Sequence, residues 1–231
     1  MKIEILHLLD GARKAGGLTV IIDVFRAFST ACYLTGKGAA PIYPTGAIED
    51  AFRLKREVPH AILVGERNER PPEGFDFGNS PYLISSADIK NRPVIHTTSS
   101  GTQGIVNAVN AAEIITGSFV NAGAIVRYIK EQNPPKVSLV CMGYACLYPT
   151  DEDTLCAEYI RNELNGTRSD WPAILQKIRT GSGARFFEAS SQFWAPKEDF
   201  DLCLHRNRFD FVLKVKEKNG MLYLQKIEIP E

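Results

Sequence analysis

The chain has 231 residues, of which 44% are hydrophobic, and its 27 basic and 27 acidic residues give a formal net charge of zero. This length suits one well-buried α/β domain, and we assign residues 1–231 to a single domain. A neutral chain lacks the basic excess that binds nucleic acids and membrane surfaces, so we expect neither as a partner.

The spacing of the cysteines and the hydropathy of the chain indicate the cellular compartment of the protein. The five cysteines are odd in number and show no Cys-x-x-Cys spacing, which disfavours a disulfide framework and a structural zinc site. No run of about 18 apolar residues predicts a membrane span, and the first residues do not resemble a signal peptide. We therefore expect a cytoplasmic protein.

Short apolar runs alternate with segments of helical periodicity through most of the chain. Leu18 to Ile22 is β-branched and almost wholly apolar, as in a strand that is covered on both faces. Leu8 to Gly17 is polar and glycine-rich and is predicted as an irregular connection. Strands are predicted at 2–7, 18–22, 41–43, 61–64, 93–96, 113–115 and 137–142, and helices at 26–36, 47–57, 82–86, 103–111, 119–132 and 151–165.

The pattern changes after Gly166. Helices are predicted at 171–180 and 197–204, and the alternating runs 209–216 and 221–227 flank an Asn-Gly pair. Asn-Gly between alternating runs is the strongest short signal for a β-hairpin. The whole pattern predicts an α/β protein with three layers, α/β/α, whose central sheet is largely parallel but mixed and includes a C-terminal antiparallel hairpin.

Polar or glycine-rich clusters follow five of the predicted strands. They are Asp23, Gly65–Arg67, Thr97–Thr102, Thr116–Ser118 and Gly143. Parallel strands place their carboxyl ends on one edge, and open α/β sheets bind ligands at that edge. We therefore expect these clusters to converge on an active site.

The segment 64–81 is a long irregular loop, because two adjacent prolines and several glycines interrupt both regular periods. Irregular connections of this length are uncommon inside compact domains and tend to be functional or disordered. Phe75 and Phe77 flank Asp76 and can anchor the loop. We predict a carboxylate held between two aromatic anchors, and the alternative is a solvated surface loop.

Thr97 to Gly104 is the best candidate for anion binding. Hydroxyl groups and a glycine at a strand-to-helix turn present free backbone donors at the positive end of a helix, which suits a phosphate. The lysine and the glycine spacing of a Walker A loop are missing. The alternative is an ordinary helix N-cap with additional hydroxyl groups.

Charged residues near the strand ends suggest a site that holds both a cation and a phosphate. Asp23 can serve as a metal ligand or as a nucleophile. The acidic residues 151–153 open a helix, where their alternative role is to complement the helix dipole. Arg26, Arg67 and Arg70 can bind an anionic substrate in bidentate fashion, or can be surface arginines. Carboxylates at the same edge suit Mg²⁺, which bridges to phosphate oxygens.

Several stretches, which occur in family order, carry a resemblance to a known family. They are Ile22-Asp-Val-Phe-Arg-Ala27 with Ser29-Thr30, Gly65-Glu-Arg67, Gly74-Phe-Asp-Phe-Gly-Asn-Ser-Pro81, Thr97-Thr98 with Gly101-Thr102, Glu152-Asp153-x-x-Cys156-Ala157 and, more weakly, Asp199-Phe-Asp-Leu-Cys203. On these stretches the chain resembles the 2-phosphosulfolactate phosphatase family. The resemblance implies an α/β/α fold and a Mg²⁺-dependent phosphatase that releases sulfolactate and phosphate in coenzyme M biosynthesis.

The resemblance also implies roles for particular residues in a phosphoric monoester hydrolase that acts on a small anionic phosphate ester. We expect Asp23, Asp76 and Arg26 to act in catalysis, and Asp76, Glu152 and Asp153 to bind Mg²⁺. Two alternatives remain open: another small 2-hydroxy acid phosphate as substrate, and a non-catalytic relative that binds anions. A homodimer also remains open. The expected phosphate and substrate ligands are Arg67, Asn79, Ser80, Thr97, Thr98, Ser99, Ser100, Gly101 and Thr102.

Overall fold

Nine strands form one mixed sheet in the computed structural model, which describes residues 1–230. The strands are β1 (Lys2–His7), β2 (Gly17–Ile22), β3 (Ile42–Thr45), β4 (Ile62–Gly65), β5 (Val94–Thr97), β6 (Ala111–Gly117), β7 (Lys136–Cys141), β8 (Phe211–Lys218) and β9 (Met221–Glu228). The helices are α1 (Leu8–Lys14), α2 (Ala27–Gly36), α3 (Ile48–Glu57), α4 (Pro81–Ile84), α5 (Gly101–Asn107), α6 (Ala122–Gln132), α7 (Asp151–Leu164), α8 (Trp171–Thr180) and α9 (Glu198–Cys203). No helix among residues 1–230 has both the length and the apolar character needed to cross a membrane.

The sheet consists of two parallel groups of strands with an antiparallel hairpin between them. The order is β1-β7-β2-β6-β8-β9-β3-β5-β4, in which β1, β7, β2 and β6 are parallel, as are β3, β5 and β4. The β8–β9 hairpin is confirmed: Asn219 and Gly220 have φ of 52° and 76°, as a two-residue turn with both central φ values positive requires. Its position in the middle of the sheet was not predicted.

Helices cover both faces of the sheet, which confirms the three-layer α/β/α fold. Alternate residues of β2 face opposite layers: Val20 and Ile22 pack with α6, α7 and α8, whereas Ile21 packs with α1, α2 and α5. All three side chains are fully buried. The prediction of a strand covered on both faces is therefore confirmed.

The predicted irregular connection between Leu8 and Gly17 is wrong, because Leu8–Lys14 forms helix α1. Its glycine, Gly11, marks close packing: a Cβ atom there would lie 3.0 Å from the Leu6 side chain. Ala12 and Ala15 bury the inner face of this segment against the core. In the sequence, small residues that allow a helix to approach its neighbouring strand resemble those of an irregular connection.

Candidate active site

A cleft opens at the edge of the sheet where β2, β4, β5 and β7 end. Its volume is about 420 Å³, counting the space that is open to solvent. Four of the five strand-end clusters meet there as expected, whereas the Ser118 hydroxyl turns inward and lies 2.6 Å from that of Ser29. The residues that line the cleft are Asp23, Phe25, Arg26, Glu66, Asn68, Glu69, Asn79, Ser99, Ser100, Gly143, Tyr144, Ala145 and Arg185.

Helix α5 brings the two parallel groups of strands together at the cleft. It follows β5 of the second group but packs on β2 of the first, and two glycines permit this approach. A Cβ atom at Gly104 would lie 2.5 Å from Ile21 Cγ2, and one at Gly101 would lie 2.9 Å from Asp23 Oδ2. A larger residue at position 101 would push against the Asp23 carboxylate.

Asp23 is the most deeply buried carboxylate that faces the cleft. Its side chain is 4% exposed and accepts a hydrogen bond from the Ala27 N–H at 3.0 Å. Burial, together with the nearby negative charge of Glu66, raises the pKa of Asp23 to about 7, although the bond from Ala27 acts in the opposite direction. A carboxylate with such a pKa can accept and release a proton near neutral pH.

Glu66 is a second carboxylate of the cleft and was not among the predicted site residues. Its oxygens accept hydrogen bonds from the Ser99 N–H at 2.6 Å, from the Ser99 hydroxyl at 3.1 Å and from the Glu69 N–H at 3.0 Å. These bonds fix the side chain at the end of β4. The sequence feature that could have identified Glu66 is its position in a polar cluster at the end of a predicted strand.

The predicted phosphate-binding loop, residues 97–102, does not present a free set of donors. Ser99 and Ser100 line the cleft, but the Ser99 N–H and hydroxyl are bonded to Glu66. The Ser100 hydroxyl donates to the Gly143 carbonyl at 2.8 Å. The loop therefore orients a carboxylate and ties β5 to the end of β7.

The other members of that loop turn away from the cleft, and their contacts give no support to a role in binding substrate. The Thr97 hydroxyl donates to the Gly46 carbonyl at 3.2 Å. Thr98 and Thr102 bind each other: the Thr98 N–H donates to Thr102 Oγ1 at 2.8 Å, and the Thr102 N–H donates to Thr98 Oγ1 at 3.2 Å. Gly101 lies behind Asp23.

Glu152 and Asp153, predicted as metal ligands, lie beneath the cleft and are each 2% exposed. Asp153 accepts hydrogen bonds from the Val24 and Gly143 N–H groups, both at 2.8 Å, and so joins the ends of β2 and β7. Glu152 accepts a hydrogen bond from the Ser182 hydroxyl. Burial raises the pKa of both carboxyl groups. Neither residue lines the cleft, and both instead support its floor from beneath.

Arg26 lines the cleft but belongs to a buried ion pair. Its Nη1 lies 2.7 Å from Asp199 Oδ2 and also donates to the Trp194 carbonyl at 2.7 Å. Ser80, a predicted substrate ligand, instead donates to Asp199 Oδ1 at 2.9 Å. Asp199 is fully buried, and its only sequence signal was the weak family match after position 198.

Asn79 lines the cleft and is 3% exposed. Its Oδ1 lies 3.1 Å from Nε2 of His96 on β5. Burial lowers the pKa of His96 to about 4, so this imidazole is neutral at pH 7. Because the amide oxygen is engaged, the amide NH₂ group of Asn79 remains to donate to a ligand.

Asp76, predicted for catalysis and metal binding, lies outside the cleft. Its side chain is exposed, and its carboxylate accepts a hydrogen bond from the Leu63 N–H at 2.8 Å, on the edge strand β4. The Phe77 N–H donates to the Leu63 carbonyl at 3.1 Å. The loop thus covers a sheet edge, and the contacts of Asp76 give no support to its predicted roles.

Arg67 and Arg70 also lie outside the cleft. Nη2 of Arg67 donates to the Gly46 carbonyl and to Thr97 Oγ1, both at 2.9 Å. The guanidinium carbon of Arg70 lies 4.2 Å from the centroid of the Trp194 ring. The structure therefore does not bring the three predicted arginines together.

Arg185 is a cleft cation that sequence reasoning missed. It lies in a 3₁₀ turn (Ala184–Phe187) after α8, and its Nε lies 2.9 Å from Glu69 Oε1. Its guanidinium carbon lies 5.6 Å from the centroid of the Tyr144 ring. The segment has no apolar periodicity, so nothing in the sequence pattern indicated that an arginine there would reach the strand ends.

The Mg²⁺ implied by the resemblance can be compared with these donors. Among residues 1–230, no three His, Cys, Asp or Glu side chains are grouped closely enough to hold a metal ion. Mg²⁺ commonly binds through one or two carboxylates, keeps several waters and contacts substrate phosphate. Asp23 and Glu66 are carboxylates that face one cleft, so they would be the ligands of such an ion.

Carboxylates, guanidinium groups and an amide donor thus meet at the carboxyl edge of an α/β sheet, where enzymes of this architecture bind small charged substrates. A family model described as 2-phosphosulpholactate phosphatase matches residues 4–218. The chain belongs to this family. Membership confirms the expected class, a phosphoric monoester hydrolase.

Individual relatives agree with the family match. A Bacillus subtilis protein named probable 2-phosphosulfolactate phosphatase is 29% identical over 216 residues, 92% of each chain. A Caldanaerobacter subterraneus protein of the same name is 30% identical over 221 residues, 88% of each chain. A Thermotoga maritima protein, also so named, is 38% identical over 124 residues, which is 54% of this chain and 52% of the relative.

Proposed function

We propose that the protein is a Mg²⁺-dependent phosphatase that hydrolyses 2-phosphosulfolactate to sulfolactate and phosphate, the reaction of coenzyme M biosynthesis. The observation that carries the proposal is the pairing of Asp23 and Glu66 in one cleft with the donors of Arg185 and Asn79. This set offers two ligands for a cation and separate donors for the anionic groups of a substrate. The family and the names of the relatives support the substrate.

Charge balance supports the need for a divalent cation. The cleft contains three carboxylates, those of Asp23, Glu66 and Glu69, against the guanidinium groups of Arg26 and Arg185. Phosphosulfolactate carries phosphate, carboxylate and sulfonate, close to four negative charges at neutral pH. Such a substrate does not enter an acidic cleft favourably without a counter-ion. Mg²⁺ held by Asp23 and Glu66 would screen the phosphate and stabilise charge on the oxygens of the displacement.

Two side chains have definable roles in the reaction. The NH₂ group of Asn79 donates to a phosphoryl oxygen, because His96 holds the amide oxygen on the other side. Asp23, as a ligand of the cation, would be held in its ionised form and would orient the attacking water. Water as the nucleophile predicts no covalent phosphoenzyme after an acid quench. A retained phosphoenzyme would assign Asp23 as the nucleophile instead.

A substrate panel tests the proposal. Phosphate release is measured for phosphosulfolactate, phospholactate, phosphoglycolate and a sugar phosphate, each with Mg²⁺ and with a chelator. We expect Mg²⁺-dependent turnover with the highest kcat/KM for phosphosulfolactate. Preference for another 2-hydroxy acid phosphate would replace the substrate but retain the reaction. Phosphate binding without turnover of any ester would establish a non-catalytic relative.

The cysteines bear on the compartment in which this reaction takes place. All five are free thiols, and four of them are buried. Unpaired buried thiols persist in reducing compartments. They support our proposal of a cytoplasmic enzyme, which cell fractionation would test.

A further inference from the structure

Arg185 differs from the other arginine of the cleft in the nature of its partner. Arg26 is 4% exposed and pairs with Asp199, which is fully buried outside the cleft. Arg185 is 21% exposed, and its partner Glu69, at 25%, is itself a cleft residue. An incoming anion can therefore replace Glu69 at Arg185 without uncovering a buried charge, whereas it cannot replace Asp199 at Arg26.

The backbone at Glu69 indicates that this side chain is placed there for a reason other than stability. Asn68 and Glu69 have φ of 51° and 67° and form the two central residues of a tight turn closed by Arg67 and Arg70. Such a turn favours glycine at its second central position. A glutamate there is strained, and strained backbone is concentrated at functional sites. The turn directs the Glu69 carboxylate at Arg185.

We propose that Arg185 is the residue that selects the sulfonate of the substrate, and that Glu69 is a built-in counter-ion which the sulfonate replaces. This inference rests on the proposed function and identifies Arg185 as the residue that binds the sulfonate of the substrate. A sulfonate competes with Glu69 for the same guanidinium group. A substrate with a hydrogen in place of the sulfonate leaves the ion pair intact.

This arrangement predicts opposite effects for the two partners of the ion pair. Removing the charge of Glu69 frees Arg185, so it should strengthen the binding of every anionic substrate, and most strongly that of a sulfonated one. Removing Arg185 alone would leave Glu69 unpaired and repel every anionic substrate. The informative variant is therefore E69Q/R185M, which removes both charges and keeps the net charge of the cleft. Methionine retains contact with the neighbouring aromatic rings.

The test compares kcat/KM for phosphosulfolactate and phospholactate in the Mg²⁺-loaded enzyme. The wild type should prefer phosphosulfolactate by about 10- to 100-fold, the range for one charge-assisted hydrogen bond. E69Q/R185M should abolish this preference by slowing only the sulfonated ester. R179M is the control, because Arg179 stacks on Phe187 and does not line the cleft. Equal losses for both esters in the double variant would overturn the assignment.

The single variants E69Q and E69G separate the effect of the Glu69 charge from the effect of its backbone conformation. Both remove the carboxylate, but only E69G relieves the positive φ, so it alone should raise Tm. We expect both to lower KM for phosphosulfolactate by a larger factor than KM for phospholactate. A higher KM for both esters would show that Glu69 merely positions Arg185 and would overturn its role as a competing anion.

Calorimetric titration measures the binding of sulfolactate and lactate without turnover, so it tests this inference separately from the proposed function. If the wild type turns over neither ester, the proposed function fails, and the binding data still decide the role of Arg185. Preference for sulfolactate that disappears in E69Q/R185M would support the inference. Equal binding of the two acids by the wild type, or binding of neither, would overturn it.

Discussion

Two stretches with strong family resemblance, residues 22–27 and 74–81, each contain an aspartate, and the two aspartates lie in opposite environments. Asp23 is 4% exposed, faces the cleft and has a pKa raised to about 7. Asp76 is exposed on the far side of its loop and binds the backbone of the edge strand through Leu63. The contribution of the second stretch to the cleft is Asn79.

This difference shows that a motif can combine structural and functional residues within a few positions. In 74–81 the carboxylate covers a sheet edge, the asparagine faces the cleft, and Ser80 binds the buried Asp199. In 22–27 the aspartate and Arg26 both face the cleft. The resemblance marks both stretches equally, and only the packing separates the roles.

The largest expected effect comes from replacing the two aspartates separately. D23N should lower kcat by about 10³-fold, because it removes a carboxylate that holds both the cation and the attacking water. Its Tm should not fall, because asparagine retains the hydrogen bond from Ala27 and removes the cost of burying a charge.

D76N is the matched control for D23N. It should leave kcat unchanged and cost at most about 1 kcal/mol in the free energy of unfolding, the value of one hydrogen bond. Steady-state kinetics and urea unfolding measure both variants. A large loss of kcat in D76N with an intact fold would reverse our comparison of the two stretches.

D199N should produce the next largest effect, on stability. Asp199 binds Arg26, Ser80 and the Tyr82 N–H, and so joins the two stretches through one buried carboxylate. Removing its charge leaves the Arg26 guanidinium buried without a counter-charge, which should cost about 3–5 kcal/mol. Urea unfolding measures the loss, and D201N, a change of the exposed aspartate two residues on, should cost nothing. Wild-type stability of D199N would contradict this account.

The smallest effect concerns His96, which supports Asn79. Its pKa is about 4 in the folded state, below the ordinary value of 6.5, so the unfolded chain binds the extra proton first as pH falls. His96 therefore contributes stability above pH 6.5 that is lost progressively toward pH 4, in total about 3 kcal/mol. H96Q should lack this part of the pH dependence, whereas H60Q, at an exposed histidine, should keep it. Parallel curves for H96Q and the wild type would refute the assignment.

The fold was largely predictable because apolar strands such as 18–22 carry a strong local signal and their alternation with helices implies a parallel sheet. The error at Leu8–Lys14 arose because small residues that serve close packing resemble those of irregular loops. The position of the β8–β9 hairpin depends on long-range pairing, and a local pattern contains no information about it.

The site was predictable where a polar cluster follows a strand or where a family motif marks the residue. The predicted site residues that line the cleft are Asp23, Arg26, Asn79, Ser99 and Ser100. Arg185 reaches the cleft from an aperiodic segment more than 150 positions beyond Asp23, and only tertiary contacts bring the two together. Hydroxyl groups in 97–102 resembled an anion site because a sequence does not reveal that the chain's own Glu66 occupies the donors of Ser99.

The placement of the β8–β9 hairpin has a consequence for the order of assembly. As the ribosome releases the chain from its N-terminus, β6 and β3 emerge long before the residues 211–228 that will pair with both. Until then the nascent protein has two unpaired inner edges, each able to pair with another chain. Joining the two parallel groups into one sheet is therefore a late event of biosynthesis, and a pause in translation before residue 211 would prolong the interval in which aggregation competes with folding.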